Sequence, residues 1–348
     1  MPTDDFEFPI VPKNHQRYDI GQSYAWNYDH APQIPDEVSE SVSKPDCDWV
    51  LCGVPMPSPI GIAAGPLLNG NWLLHYASLG FGFLTYKTVR SQSRSCYPLP
   101  NLQPIVDGSI SHTDETATAT EQRTSTEASW AVSFGMPSTT PTSWREDVRQ
   151  TRERLASHQK LSVSVVATPQ ADWTIEQVAE DYAQCAEWAE QAGADFVELN
   201  LSCPNVASCD GQLFRDAQKA AFVFRDVHQR IEQVPLLAKI GPVAEADEAS
   251  RLVDELTRAN VSALVMINCI PARVMGTDGP MFDSQPRGIA GPAIFDAVVR
   301  QVELFRSAVD SLDSPTEIVA VGGIRDKEDV RRCLNAGASA IQMATAIM

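Results

Sequence analysis

Two amides and a thiol stand close together at 200–205, in the order Asn-Leu-Ser-Cys-Pro-Asn. Asn200, Cys203 and Asn205 supply hydrogen-bond donors, acceptors and a titratable group, enough to hold a polar ring and move a proton. The run before them, Asp195-Phe196-Val197-Glu198-Leu199, is short and β-rich, as a buried parallel strand should be. Taken alone, Cys203 is better read as a packed, inert thiol, because free cysteine is among the most buried residue types. The flanking asparagines shift that reading, since a buried amide needs several partners and a ligand can provide them.

The elements that must position this loop follow from the pattern around it. Apolar strand-like runs fall at 60–64, 83–87, 161–167, 195–200, 235–240, 263–268, 317–321 and 339–343. Helical patterns lie between them at 71–79, 143–158, 175–192, 213–232, 244–259, 293–311 and 327–336. Gly80, Gly193, Asn260 and Gly337 stand where helices should end. Strands alternating with helices predict a parallel (β/α)8 TIM barrel, in which catalytic groups sit on the loops after the strands.

Other polar residues fall at the same ends of the predicted strands. Ala64-Gly65-Pro66 closes the first, Lys87-Thr88 the second, Lys239 the fifth and Asn268-Cys269 the sixth. Either lysine alone could be an ordinary rim charge. Their convergence on one barrel mouth favours a bound anionic group. Gly322-Gly323 follows the seventh strand and precedes a helix starting near Asp326, a turn that can present backbone N–H groups to a phosphate. In a barrel that is the usual phosphate position.

The bulk composition bounds the partners. The chain has 348 residues, 43% of them hydrophobic, and a net charge of −18. An acidic chain argues against nucleic acid and anionic membranes as partners. No apolar run of about eighteen residues predicts a membrane span. Eight cysteines, at 47, 52, 96, 185, 203, 209, 269 and 333, form no Cys-x-x-Cys or Cys/His cluster. No metal site is expected, and dispersed thiols point to a reducing, cytoplasmic setting.

Residues 1–46 are polar and Pro-rich with scattered aromatics, and read as an N-terminal extension packed on a barrel spanning 47–348. The connection from 88 to 142 is far longer than an ordinary loop, so it contains an insertion after the second strand. Its middle, 109–129, is Thr/Glu/Ala-rich and reads as partly mobile. The sequence given stops at Met348, just after the eighth strand, so the closing barrel helix is expected to be missing, its place taken by the arm unless the chain is cut short.

Five motifs recur together: Glu198-Leu-Asn-Leu-Ser-Cys-Pro-Asn-Val206, Ile318-Val-Ala-Val-Gly-Gly-Ile324 with Gly337-Ala338 after it, Phe83-Leu-Thr-Tyr-Lys-Thr88, Tyr97-Pro-Leu-Pro100 and Gly288-Ile-Ala-Gly291. In them the chain resembles the dihydroorotate dehydrogenase family, which includes the pyrimidine-reducing domain of dihydropyrimidine dehydrogenase. The resemblance implies an FMN-dependent oxidoreductase that oxidises dihydroorotate to orotate in pyrimidine biosynthesis. It places the FMN phosphate on Gly322, Gly323, Ala344 and Thr345. Lys87 and Lys239 would lie by the flavin's pyrimidine edge, where negative charge appears on reduction. Ala64, Gly65, Thr88, Ser164, Asn200, Ile267 and Gly291 fall at flavin-contacting positions. Cys203 would take the proton from the substrate's C5 while the C6 hydride goes to flavin N5, with Lys87 beside it. Lys87, Asn200, Asn205, Asn268 and Cys269 would hold the substrate. A cysteine base marks the class 1 members, which suggests a homodimer. The acceptor side stays open among fumarate, NAD through an electron-transfer partner subunit, and another oxidant.

The departures from the family pattern fall on the substrate side. Val132 stands where a substrate-binding Asn is usual, Cys269 replaces Ser or Thr, Asn101 replaces an Arg, and Ser164 replaces a common Asn. Two further readings therefore remain at this level: a related FMN enzyme for another cyclic amide or enoyl compound, and a catalytically idle flavin-binding protein.

Overall fold

The computed structural model describes residues 6–12, 15–34, 49–106, 108–121, 128–202, 209–231 and 233–348, with the backbone alone at 209–211. Eight parallel strands close into a barrel in chain order. They are β1 (Ile60–Ile62), β2 (Phe83–Val89), β3 (Lys160–Val165), β4 (Phe196–Asn200), β5 (Leu236–Lys239), β6 (Ala263–Met266), β7 (Glu317–Val321) and β8 (Ala340–Met343). Each coincides with one of the eight apolar runs. Except for the two rim residues Lys160 and Glu317, every one of these strand residues is buried, as expected for strands covered on both faces. The barrel's tightness shows at Gly61, where an added Cβ would come within 2.4 Å of Phe83 O on the neighbouring strand.

The helices between the strands begin and end on the residues that favour it. Thr140 caps helix Pro141–Arg154, with Pro141 at its first position, and Asp216 caps helix Ala217–Val227. Gly80, Gly193, Asn260 and Gly337 all have positive φ just past helix ends. One helix is shorter than its apolar pattern. Instead of beginning at 213, it follows a 3₁₀ segment Cys209–Arg215, broken at Gln212. The competing Asp216 cap ends that segment and starts the helix.

A second sheet sits at the barrel mouth. Strands Leu102–Ile105 and Ser129–Val132 come from the long connection after β2, and Ile270–Gly276, Gly279–Pro280 and Arg287–Ala290 from the one after β6. The stretch read as mobile contributes a strand of its own, Thr116–Thr118, paired parallel to Arg273–Met275 with Ala117 buried. Residues 122–127 of that stretch lie outside the described residues.

The N-terminal segment packs across the flank between helix Lys327–Asn335 and helix Gly70–Ser78. Lys327 Nζ donates to Phe6 O, Arg17 donates to Ala346 O and Met348 O, and Trp72 Nε1 donates to Asn27 O. His15 stacks on His75 with ring centroids 6.1 Å apart. Burial, and secondarily His15, hold the His75 imidazole down at about 4 from its ordinary 6.5. The folded chain thus refuses a proton that the unfolded chain accepts, so stability should fall as pH drops from about 6.5 to about 4. Melting temperatures from pH 7 to 4 should fall less steeply for His75→Gln than for the natural chain; equal slopes would refute the link.

Candidate functional site

The carboxyl ends of the strands gather the residues singled out in the sequence. Lys87 and Thr88 are buried near the end of β2, Ser164 in β3, Asn200 at the end of β4 and Lys239 at the end of β5. Thr88 Oγ1 lies 3.0 Å from Ser164 Oγ, and Asn200 Nδ2 donates to Thr88 Oγ1 at 3.5 Å. The Asn200 Oδ1 accepts from Ser202 N, and Asn268 Nδ2 donates to Ser202 O at 2.9 Å. These side chains therefore converge on one spot above β3–β6. Cys269 lines a small hollow with Ser202, Phe214 and Gly241 on the same side.

The other half of the mouth is backbone. Gly322 and Gly323 have φ of +121° and +73° after β7. A Cβ on Gly323 would come within 2.8 Å of Gly291 O, so Gly291 and Gly323 touch, and one on Gly322 would meet Ile267 O at 3.3 Å. Only glycine fits there. Ala344 follows β8, and Ala63 N donates to Met343 O, which carries Ala64 and Gly65 alongside it. Among the described residues, the N–H groups of Gly322, Gly323 and Ala344 find no acceptor. Such a set of free, converging N–H groups is an anion cradle. The following helix, Lys327–Asn335, starts directly after Asp326, whose carboxylate accepts from Glu328 N and Asp329 N.

Two ammonium groups complete the electrostatics. Lys87 is 6% exposed and Lys239 3%. Lys239 Nζ lies 3.7 Å from Glu198, too far for a hydrogen bond. Among the described residues the Lys239 ammonium has no hydrogen-bond acceptor, which suits an electron-rich group of a ligand. The cradle, the lysines and the close-packed glycines together fit a phosphate-bearing planar cofactor.

The wall nearest the second sheet was incompletely read from sequence. Gly135 and Met136 have φ of +72° and +51°, and the N–H groups of Phe134, Gly135 and Met136 find no acceptor among the described residues. Arg90, fully buried, fixes this turn by donating to Met136 O and Ala167 O. Met136 Sδ in turn lies 3.7 Å from Asn200 Nδ2. Arg287 donates to Ser133 Oγ and stacks over Tyr97 and Phe282. Beside Lys87 lies Cys96, whose thiol burial pushes up to about 11 despite the lysine's pull downward. Cys96, Tyr97, Leu99 and Asn101 face Tyr24 and Tyr28 across a cavity of about 420 Å³.

A family model described as Dihydroorotate dehydrogenase matches residues 48–348. The chain belongs to the dihydroorotate dehydrogenase family. It is 29% identical to a protein of Dictyostelium discoideum named Dihydroorotate dehydrogenase, over 98% of this chain and 95% of that one. It is also 29% identical to Dihydroorotate dehydrogenase (quinone) of Burkholderia ambifaria, over 88% of this chain and 81% of that one. A solved structure of the Eimeria tenella enzyme in complex with ferulenol superposes with a TM-score of 0.71. At 16% identity, covering 97% of this chain and 88% of that one, it shows the shared fold.

Against the dihydroorotate dehydrogenase pattern, the departures have clear places. Val132 sits half-buried in strand Ser129–Val132, opposite Gly288 on one side and Leu102 on the other. Asn101 is buried and spends its amide on Tyr97 O, Pro98 O and Ser133 O, so it braces the wall. Cys203 and Asn205 lie outside the described residues; the strand that leads to them, β4, is buried throughout. No helix among the described residues is long and apolar enough to cross a membrane.

Proposed function

We propose that this chain uses FMN to oxidise dihydroorotate to orotate. The observation that carries the reading is the meeting, at one barrel mouth, of two buried lysines with two sets of backbone N–H groups that find no acceptor among the described residues. Gly322, Gly323, Ala344 and Thr345 would hold the FMN phosphate, and Ala64, Gly65, Thr88, Ser164, Asn200, Ile267 and Gly291 its remaining contacts. When bound, FMN supplies the two-electron acceptor, whose pyrimidine edge gains negative charge on reduction. Lys87 and Lys239 stabilise that charge from fixed, desolvated positions.

The substrate is a cyclic imide bearing a carboxylate. Asn200, Asn205 and Asn268 would meet the ring's amide groups, with Cys269 next to them. The free N–H groups of Phe134, Gly135 and Met136, aided by Lys87, suit the carboxylate. Cys203 would take the proton from C5, and FMN would supply the acceptor for the hydride lost from C6, leaving a C5=C6 double bond. We place the protein in the cytoplasm as a homodimer, on its dispersed cysteines and its class 1 Cys203.

The deciding experiment is the visible spectrum of purified protein followed by anaerobic dihydroorotate. A flavin band that bleaches supports the reading. A band that persists favours the second reading, another cyclic amide, for which the apolar Val132 is the specific motive. Val132→Asn should then restore a hydrogen bond worth about 0.5–1.5 kcal/mol, or roughly 2–10-fold in KM for dihydroorotate. Steady-state kinetics check this, and an unchanged or higher KM counts against a substrate role for position 132.

A further inference from the structure

The Glu198 carboxylate lies in the middle of β4 with no exposure, and neither oxygen has a hydrogen-bond partner among the described residues. Its nearest charge is Lys239 Nζ, 3.7 Å away on β5. Native proteins rarely leave a buried carboxylate unbonded, because its desolvation is costly. A pair kept for stability alone would close to hydrogen-bonding distance or give way to apolar packing. The register puts Lys239 level with Asn200 at the mouth and Glu198 level with Leu237, two residues deeper on the face that Asn200 shares. The lysine therefore stands between the carboxylate and the cofactor position.

We propose that Glu198 is a positioning residue that sets the redox poise of the bound flavin through Lys239. The inference rests on the FMN reading above. A carboxylate this close cancels part of the positive charge felt at the flavin's pyrimidine edge. The lysine favours the reduced cofactor, and Glu198 moderates that preference so that the reduced cofactor still passes its electrons on. The pair sets a balance between the two half-reactions rather than a maximum for the first.

The test is a dye-coupled potentiometric titration of the holoprotein. Glu198→Gln should shift the two-electron equilibrium toward reduced flavin about tenfold, which is about 30 mV for such a couple. Glu198→Asp, its carboxylate drawn back by one methylene, should shift it the same way by less. A Lys239→Gln background removes the charge through which Glu198 acts. Adding Glu198→Gln there should leave the equilibrium within about twofold. A Gln variant within twofold of the natural chain, or one shifted toward oxidised flavin, overturns the proposal. An equal tenfold shift without Lys239 overturns the route through the lysine. Should the Gln variant not fold, an Asp variant at the natural potential is equally decisive. A natural chain that binds no FMN sinks the functional reading as well, whereas bound FMN with an unmoved potential sinks this inference alone.

Discussion

Cys203→Ala is expected to slow reduction of the bound flavin by dihydroorotate about 10²–10⁴-fold, the usual worth of a positioned general base. The loop that carries Cys203 leaves β4 directly after Asn200, whose side chain is fixed by Ser202 N and Thr88 Oγ1. A thiol near an ordinary pKa of about 8.5 is partly ionised at neutral pH, so the rate should rise with pH through that range. The other thiol near the lysine, Cys96, is held neutral by burial, with its pKa pushed up to about 11, and cannot take over as base near pH 7. Anaerobic rapid mixing at several pH values checks both points. A variant that reduces as fast as the natural chain, with the same pH profile, would remove Cys203 from the mechanism.

Lys87→Met should cost about 10²–10³ in the same flavin-reduction rate, the range for losing one preorganised donor at a site of developing charge. The backbone around Lys87 is fully determined: it lies in the seven-residue strand Phe83–Val89, every member buried, and its N–H donates to Leu67 O. A lysine on so fixed a backbone presents its ammonium from a constant position. The substitution keeps the length of the side chain and its packing, so FMN content and melting temperature should change little while the rate collapses. A variant that loses the rate only because it loses FMN would show that Lys87 acts in cofactor retention instead.

What could be read before the structure was the periodic part. All eight barrel strands were visible because strands buried on both faces are near-continuous apolar runs, and turn residues such as Gly193 and Asn260 separate them from the helices. The side chains of Thr88 and Asn200 were also legible from their places at strand ends, whereas Ser164 came only from the family resemblance. Groups that carry no side-chain signature were harder. The Phe134–Met136 amides are backbone atoms, and only Gly135 hints at their left-handed turn. Thr116–Thr118 is too short for a period of two to stand out from a Thr-rich stretch. Glu198 was read as one more strand residue because its setting depends on a neighbour, Lys239, forty-one positions away. Asp326 was in plain view, and the helix does start directly after it, with its carboxylate accepting from Glu328 N and Asp329 N.

The N-terminal segment bears on how the molecule is made. His15 and Arg17 emerge early from the ribosome, but the carbonyls they bond belong to residues 346–348, more than three hundred positions later. Contacts of such sequence separation are closed late and slowly. Strands adjacent in the chain can pair as they are synthesised, whereas the flank between helices Lys327–Asn335 and Gly70–Ser78 stays open until residues 346–348 have been made. During that interval the apolar surface around Tyr76, whose hydroxyl bonds Ile347 O, is uncovered, so the rate of synthesis up to that point and the supply of chaperones become determinants of yield.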